Sequence, residues 1–245
     1  MRCALASKGF INGNIEYNKN VIISTLKACS GNADIVIFGE TFLQGFDGLS
    51  FNIDQDEQIA VSRDDSIIKE ICNCAQKYSI AVSFGFIEKA EGCLYSSQIT
   101  IDSNGNIIDV YRRVSEGWKE SFACARYREG DGFNAFSYQG KRIVVGLCGD
   151  LWYDENITLV NKLEPDVVFW PVYTDFNPVE WTTSIKFEYA EQAGKMNSPV
   201  LSINSVCIDQ IEIVEAAKGG SALFVNNTID SEAPAGDEAI LTVEI

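Results

Sequence analysis

The chain combines a cysteine in a distinctive segment with a complete lack of histidine. Cys148 lies in the segment GLCGDLWYDE (residues 146–155), and none of the 245 residues is histidine. A catalytic cysteine ordinarily relies on a histidine base. Thiol chemistry in this chain would therefore depend on carboxylates and on lysine or arginine. The same absence excludes histidine-ligated zinc and histidine acid–base catalysis.

Three polar residues come at the ends of predicted buried strands, and together they could do chemistry. They are a carboxylate, a cation and a thiol: Glu40, Arg113 and Cys148. In sheets covered by helices, ligands gather at strand ends, so this combination indicates a shared site. Each residue alone also fits an ordinary structural role. Glu40 would start a helix, Arg113 would be a solvated charge, and Cys148 would be a core thiol.

The elements that position these residues alternate between helix and strand along most of the chain. A helix predicted over residues 18–29 leads to a buried strand at 35–38, and a turn signal predicts a hairpin of strands at 94–101 and 107–111. The strand at 142–147 ends at the cysteine. The remaining predicted elements are helices over 57–77, 154–163 and 186–196, strands over 80–87, 166–170 and 200–204, and a closing pair of strands over 220–225 and 239–244. This alternation predicts an α/β architecture with mixed sheets in a single domain, residues 1–245.

Composition excludes several classes of partner and location. Hydrophobic residues make up 46% of the sequence, charged residues 22%, and the formal net charge is −16. Nucleic acid and anionic membranes attract basic proteins, so neither partner is expected. No apolar run approaches the ~18 residues of a membrane span, and the first residues do not resemble a signal peptide. We therefore expect a cytoplasmic protein with reduced thiols. Because Cys72 and Cys74 are too close for a usual metal or redox pair, no metal centre is expected.

Three segments resemble the signatures of the nitrilase superfamily, the carbon–nitrogen hydrolases. Residues 32–40 resemble the first signature, in which a glutamate follows a buried strand, although Gly39 replaces the usual proline. Residues 107–113 resemble the second, a strand ending in Tyr-Arg-Lys. Residues 148–155 resemble the third, Cys-Tyr-Asp with a glutamate seven positions after the cysteine. The likeness continues in the family's order through residues 169–172, 188–193, 202–204, 219–221 and 237–244. A series of this kind is far more specific than any single signature.

The resemblance implies an αββα sandwich and a triad of glutamate, lysine and cysteine. In this sequence the triad maps to Glu40, position 113 and Cys148. Glu40 would act as base, the cation would favour the thiolate, and the sulfur would add to a carbonyl or nitrile carbon. The cation and the backbone N–H of Gly149 would hold the oxyanion. Glu40 would then protonate the departing amine and activate water against the thioester. A homodimer is expected by analogy, and no cofactor or metal is implied.

Arginine at position 113 departs from this pattern. A guanidinium keeps the positive charge, but it is planar and bulkier than an ammonium. Three outcomes are open: Arg113 fills the role, the nearby Lys119 replaces it, or the enzyme is impaired. The resemblance also implies a second glutamate that positions the substrate. Glu120 is the better-spaced candidate and Glu116 the other, while a solvated charged loop would equally explain residues 116–120.

These observations predict hydrolysis of a non-peptide C–N bond in a small-molecule amide or carbamoyl amine. The first alternative is a binding or regulatory relative without turnover, because of the arginine. A papain-like or glutamine-amidotransferase-like enzyme is nearly excluded, since those sites need histidine. The substrate itself is not specified by the sequence. Pocket walls are expected from loops at 43–51, 116–125 and 173–182. Four aromatic residues could either line an apolar pocket, with Trp152 and Tyr173 binding the substrate, or serve as core or dimer contacts: Trp152, Tyr173, Phe176 and Trp181.

Overall fold

Two six-stranded mixed sheets form the centre of the computed structural model, which describes residues 1–210 and 216–245. The strands are β1 (Arg2–Ser7), β2 (Gly9–Phe10), β3 (Ile35–Ile37), β4 (Ala81–Ala90), β5 (Cys93–Ile101), β6 (Ile107–Arg112), β7 (Ala135–Tyr138), β8 (Lys141–Val145), β9 (Val167–Val172), β10 (Val200–Asn204), β11 (Val206–Cys207), β12 (Gly219–Val225), β13 (Thr228–Ala235) and β14 (Ala239–Glu244). The helices are α1 (Ile15–Cys29), α2 (Ile53–Ile59), α3 (Ser66–Tyr78), α4 (Asp154–Lys162), α5 (Pro178–Glu180) and α6 (Lys186–Ala193). A π-helical stretch, Trp181–Ile185, joins α5 to α6, and short 3-10 turns cover Phe46–Gly48 and Cys148–Trp152.

The strand order places Glu40 and Arg113, which follow β3 and β6, in one sheet, and Cys148, which follows β8, in the other. The first sheet has the order β14-β1-β3-β4-β5-β6 and the second β13-β12-β10-β9-β8-β7. In the first sheet β1, β3 and β4 are parallel, and β4, β5 and β6 form an antiparallel meander. In the second sheet β8, β9 and β10 are parallel. Parallel strands direct their carboxyl ends to the same edge, where a site can be assembled.

The two sheets face each other across an apolar layer that follows from strand alternation. In β1, Cys3 and Leu5 point into this layer, whereas Ala4 and Ala6 point toward the helices outside. From the second sheet, residues such as Phe169 meet the first sheet in the same layer. Because side chains alternate with a period of two, each central strand buries both of its faces.

Helices cover the outer face of each sheet. Ile22 of α1 and Ile68 of α3 are fully buried against the first sheet. Val160 of α4 and Ala190 of α6 pack on the second. The layers therefore follow the order αββα, which confirms the predicted fold class. Across the described residues, no helix is long and apolar enough to cross a membrane.

The predicted helix over residues 57–77 is wrong in its first part. Two helices, α2 and α3, occupy this region, and residues 60–65 separate them. Within that break, Asp65 accepts a hydrogen bond from the backbone N–H of Ser62 at 2.7 Å. A carboxylate bonded to nearby backbone favours a turn over a continuous helix.

The predicted pairing of the strands at 220–225 and 239–244 is also wrong. β12 lies between β10 and β13, whereas β14 pairs with β1 in the other sheet. The sequence prediction overlooked β13, which follows β12 through a turn at Asn226 and Asn227. Both turn residues have positive φ, 49° and 64°, as two-residue hairpin loops favour. β13 therefore takes the position beside β12, and the chain crosses to the first sheet afterwards.

Candidate active site

Glu40, Arg113 and Cys148 meet where the strand ends of the two sheets approach each other. Arg113 Nη1 donates to Glu40 Oε1 at 3.1 Å and to Oε2 at 3.4 Å. Cys148 lines the same cavity as Arg113. The charges of Glu40 and Arg113 both act on the thiol. The structure thus brings together the carboxylate, the cation and the thiol that the sequence singled out.

Glu40 lies on a loop that passes unusually close to β4. A Cβ atom on Gly85 of that strand would collide with the backbone nitrogen of Thr41, so the close approach requires glycine. The Glu40 side chain is fully enclosed, with a relative exposure of 1%. Ser96 donates its hydroxyl to Glu40 Oε1 at 2.8 Å. Ser96 and Arg113 together fix the carboxylate in one orientation.

Arg113 uses its whole donor fork within the site. Its Nε donates to Ser115 Oγ at 3.0 Å, and its Nη2 donates to the carbonyl oxygen of Glu116 at 3.3 Å. A Cβ atom on Gly149 would lie 2.6 Å from Nη2. The guanidinium therefore occupies the space that any side chain at position 149 would need.

The cysteine sits at a strained corner of the backbone. After β8 ends, Cys148 adopts φ = 38°, a left-handed value, and opens a 3-10 turn. Trp170 Nε1 donates to the carbonyl oxygen of Cys148 at 2.8 Å and holds the corner in place. Thr41, directly after Glu40, is also left-handed, at φ = 53°. Such residues cost of order 1–3 kcal/mol each and persist where the surrounding structure enforces them.

Asp150 ties the cysteine corner to the segment that carries Arg113. This buried carboxylate accepts from the backbone N–H of Leu147 at 2.8 Å and of Ser115 at 2.7 Å. The hydroxyl of Tyr111 donates to it at 2.6 Å. One side chain thus bridges β8 and β6 across the two sheets and sets the position of nucleophile and cation relative to each other.

Burial dominates the electrostatics of the site. It raises the pKa of the Cys148 thiol to about 12, the charge of Glu40 adds to the increase, and the lowering by Arg113 is smaller. Burial also raises the pKa of Glu40 above its ordinary 4.5, although Arg113 and Ser96 act against it. The charge of Arg113 acts in the expected direction, since it lowers the pKa of the thiol, but burial outweighs it. With its pKa raised to about 12, the thiol is protonated at neutral pH.

A cavity of about 270 Å³ opens over Cys148. Four aromatic side chains line it, namely Phe46, Phe51, Trp118 and Tyr173, together with Gly117 and the charged residues Asp47, Arg113, Lys119 and Glu120. This volume suits a small organic molecule rather than a polypeptide segment. Within residues 1–210 and 216–245, no group of three potential metal ligands is placed to hold an ion.

Lys119 and Glu120 line the cavity. The carboxylate that pairs with Lys119 is Glu129 and not Glu40. Lys119 Nζ donates to Glu129 Oε2 and to the carbonyl oxygen of Tyr127, each at 2.8 Å. Its charge is therefore already compensated on the cavity wall. Glu120 is exposed at the mouth. Arg113 is the cation that contacts Glu40.

Of the two aromatic residues expected to bind substrate, Tyr173 lines the cavity and Trp152 does not. The Cys148 thiol donates to the carbonyl oxygen of Tyr173 at 3.6 Å. Trp152 instead packs edge-on against Tyr189, with ring centroids 5.0 Å apart, beneath the helix layer of the second sheet. Its partly exposed ring contributes to helix packing there.

Sequence reasoning missed Ser96, Asp47 and the role of Asp150. Asp150 had a visible signal, since it lies two positions after the cysteine within the third signature. Ser96 belongs to a run of buried polar residues in β5, a pattern that indicates a polar site beside an otherwise apolar strand. Asp47 lies in the loop at 43–51 that was expected to form a pocket wall, but no motif singled out this residue.

Comparisons with known proteins agree with this fold. The carbon-nitrogen hydrolase family model matches residues 8–243. The chain belongs to the carbon–nitrogen hydrolase family, which confirms the resemblance to the nitrilase superfamily. An (R)-stereoselective amidase of Pseudomonas sp is 24% identical over 168 residues, 69% of this chain and 58% of that protein. An N-carbamoylputrescine amidase of Solanum tuberosum is 25% identical over 190 residues, 70% of this chain and 61% of its own length. The chain thus spans about three fifths of these relatives.

A solved structure shares the fold along the whole chain. The amidase of Nesterenkonia sp. AN1, of the nitrilase superfamily, has a TM-score of 0.78 at 14% identity, covering 100% of this chain and 90% of that protein. One form of that amidase carries the acetamide moiety of fluoroacetamide bound covalently to its active-site cysteine. At this identity the likeness concerns the fold.

Proposed function

We propose that the chain hydrolyses a non-peptide C–N bond in a small amide or carbamoyl amine through a thioester on Cys148. The observation that carries the proposal is the contact between buried Glu40 and Arg113 at the cavity that Cys148 lines. An uncompensated carboxylate would not be tolerated in such a place. A thiol, a base and a cation held by three strand ends are the groups that acyl transfer needs in a chain without histidine.

The reaction begins with attack of Cys148 Sγ on the carbonyl carbon, while Glu40 takes the thiol proton. The oxyanion that forms is stabilised by Arg113 and by the N–H of Gly149, which lies in the first turn of the 3-10 helix and has no intrahelical acceptor. The C–N bond then breaks, and Glu40 returns the proton to the leaving nitrogen. Water adds to the thioester as Glu40 accepts its proton. Collapse releases the acid and restores the thiol.

The relatives support an amide or carbamoyl substrate. An amidase and an N-carbamoylputrescine amidase are among the proteins similar to this chain. The covalent adduct of the Nesterenkonia amidase shows that the active-site cysteine of that protein can act as a nucleophile. The small, partly aromatic cavity of the present chain is consistent with such a substrate.

One observation favours the alternative, a binding or regulatory protein without turnover. Each nitrogen of the Arg113 guanidinium already has an acceptor, in Ser115, Glu40 or Glu116. An oxyanion would have to share these donors, whereas a lysine ammonium would adapt more freely. Reactivity of Cys148 separates the two functions.

The test is an intact-mass measurement after incubation with fluoroacetamide and with a panel of small amides and carbamoyl amines. We expect one adduct per chain, mapped to Cys148, and ammonia release from at least one member of the panel. Cys148→Ala should remove both signals and keep the fold, because the substitution deletes a single sulfur. Labelling of Cys148 no faster than that of the exposed Cys124, with no ammonia released, would favour the binding protein.

We propose a cytoplasmic homodimer as the working form. The exposed apolar side chains of the helix layer on the second sheet support the dimer. Val179 is 69% exposed and Phe187 56% exposed, and large apolar groups of this kind often mark an interface. Light scattering on the purified protein should give a mass twice that of a single chain. Phe187→Glu should reduce the measured mass to that of a single chain.

A further inference from the structure

The two cations that line the cavity already have carboxylate partners. Arg113 is paired with Glu40 at 3.1 Å, and Lys119 is paired with Glu129 at 2.6 Å. All four side chains are buried or partly buried. Within each pair, the carboxylate therefore offsets the positive charge of its own cation. A ligand that enters the cavity therefore meets little free positive charge from its walls.

The two carboxylates on the cavity walls are in the opposite situation. Asp47 and Glu120 line the cavity, yet neither forms an ion pair with any residue in the described part of the chain. The hydroxyl of Tyr173 donates to Asp47 Oδ2 at 2.9 Å and fixes its orientation. Phe46 stands edge-on against the Tyr173 ring, with centroids 5.1 Å apart. A fixed carboxylate beside aromatic rings is a suitable environment for an ammonium group.

Tyr173 also connects the two ends of the cavity. Its backbone carbonyl accepts the Cys148 thiol at 3.6 Å, while its hydroxyl contacts Asp47. Tyr173 thus contacts the cysteine through its backbone and the Asp47 carboxylate through the end of its side chain. An amide whose carbonyl carbon reaches Cys148 would extend a short alkyl chain along that ring toward Asp47.

We infer that Asp47 is a specificity-determining residue that binds a primary ammonium at the far end of the amide substrate. The inference rests on the proposed function and names its substrate class, short ω-amino amides or the corresponding carbamoyl amines. Glu120 at the mouth adds negative potential that favours the same ligands. Amides that end in a carboxylate are repelled by both groups.

The experiment measures binding separately from turnover. Calorimetry on the Cys148→Ala protein compares δ-aminovaleramide with hexanamide, in which a methyl group replaces the ammonium, and with glutaramate, which ends in a carboxylate. We expect the amino amide to bind at least about tenfold more tightly than hexanamide, the scale of a hydrogen bond to a charged group. Glutaramate should bind most weakly. Added salt should reduce the preference, because Asp47 is exposed.

Asp47→Asn in the same background provides the decisive comparison. Asparagine keeps an acceptor for the Tyr173 hydroxyl and removes the charge, so the preference for the amino amide should fall by about tenfold. Glu191→Gln, an exposed residue of α6, is the matched control and should retain the preference. Equal binding of δ-aminovaleramide and hexanamide, or a preference that survives Asp47→Asn, would overturn the inference. A preference that is present while the wild-type protein releases no ammonia would sustain the inference and refute the proposed function.

Discussion

Two buried carboxylates of the first sheet have partners of the same types but opposite pKa shifts. Glu40 and Glu88 are both enclosed, with exposures of 1% and 0%. Each accepts a hydrogen bond from a serine of β5 and from an arginine at the end of β6. Yet the pKa of Glu40 is raised, whereas the pKa of Glu88 is lowered.

The duplicate arrangement arises from strand geometry. Ser96 and Arg113 bind Glu40, and the adjacent residues Ser97 and Arg112 bind Glu88. Because successive side chains of a strand point in opposite directions, two neighbouring pairs of residues can build two separate carboxylate sites. The same local sequence therefore serves both sites.

The difference lies in the number of cations and in their access to water. Burial raises the pKa of Glu88, but Arg112 and Arg63 each donate to it at 2.7 Å and together lower the pKa further than burial raises it. Both arginine side chains are partly exposed, at 20% and 46%. Arg113, the single cation at Glu40, is 6% exposed. With two arginines the pKa of the buried glutamate is lowered, whereas with one buried arginine it is raised.

The largest effect is expected from neutralising each carboxylate in turn. Glu40→Gln should reduce ammonia release by about 10³-fold, within the range for loss of a general base. Glu88→Gln should keep turnover and lower the free energy of unfolding by about 2 kcal/mol, because it removes the charge-assisted hydrogen bonds from Arg112 and Arg63. Steady-state assays and urea denaturation measure the two effects. Equal loss of turnover in both folded variants would contradict a catalytic role specific to Glu40.

The next effect concerns the fit of Arg113 against Gly149. Arg113→Ala should lower kcat by about 10²-fold or more, and Arg113→Lys should retain activity. Gly149→Ala should lower activity because its Cβ would displace the guanidinium, and Arg113→Lys added to it should restore turnover. Gly146→Ala is the matched control, since its Cβ would meet Leu151 instead, and Arg113→Lys should not rescue it. If the effects of Gly149→Ala and Arg113→Lys on activity simply add, the two positions do not interact and the proposed steric contact is ruled out.

Opposite pKa shifts predict opposite pH dependences. Glu88, with its lowered pKa, contributes stability above the unfolded value of 4.5 and loses it as pH falls through the folded pKa. Glu40, with its raised pKa, disfavours the folded state as pH rises through a folded value above 4.5. The acid limb of kcat/KM should therefore lie above pH 4.5. The melting-temperature loss caused by Glu88→Gln should be largest at neutral pH and shrink in acid. A rate profile that is flat down to pH 4.5 would refute the assignment of Glu40 as base.

The smallest effect is expected on the cavity wall. Lys119→Met breaks a half-exposed ion pair with Glu129, worth about 1 kcal/mol or less. We expect KM to rise by less than about fivefold with little change in kcat. A loss of kcat comparable to that of Arg113→Ala would transfer the cationic role to Lys119.

The parts that sequence reasoning predicted well depend on local patterns. Short apolar runs before Glu40 and Cys148 predicted their strands, because strands buried on both faces are continuously apolar. The parts it predicted poorly depend on distant partners. β13 displaced the expected closing pair, and nothing local in β14 specifies that its partner is β1.

The properties of the site were less predictable than its members. The direction in which the Cys148 pKa shifts depends on burial, which no motif encodes. Arg113 and Lys119 could not be separated by spacing, because both follow β6 within a few residues. What distinguishes the two cations is the carboxylate that each one contacts, Glu40 for Arg113 and Glu129 for Lys119. These contacts form only in the folded chain.

The left-handed backbone at Cys148 has an evolutionary consequence. Glycine adopts φ = 38° without steric cost, so mutation to glycine at this position would relieve strain while it deletes the thiol. In a lineage released from selection for turnover, relief of this strain would make that replacement easier to accept. Retention of cysteine at this corner among descendants of this gene would thus record continued selection for chemistry, and its replacement by glycine would mark the branches that abandoned it.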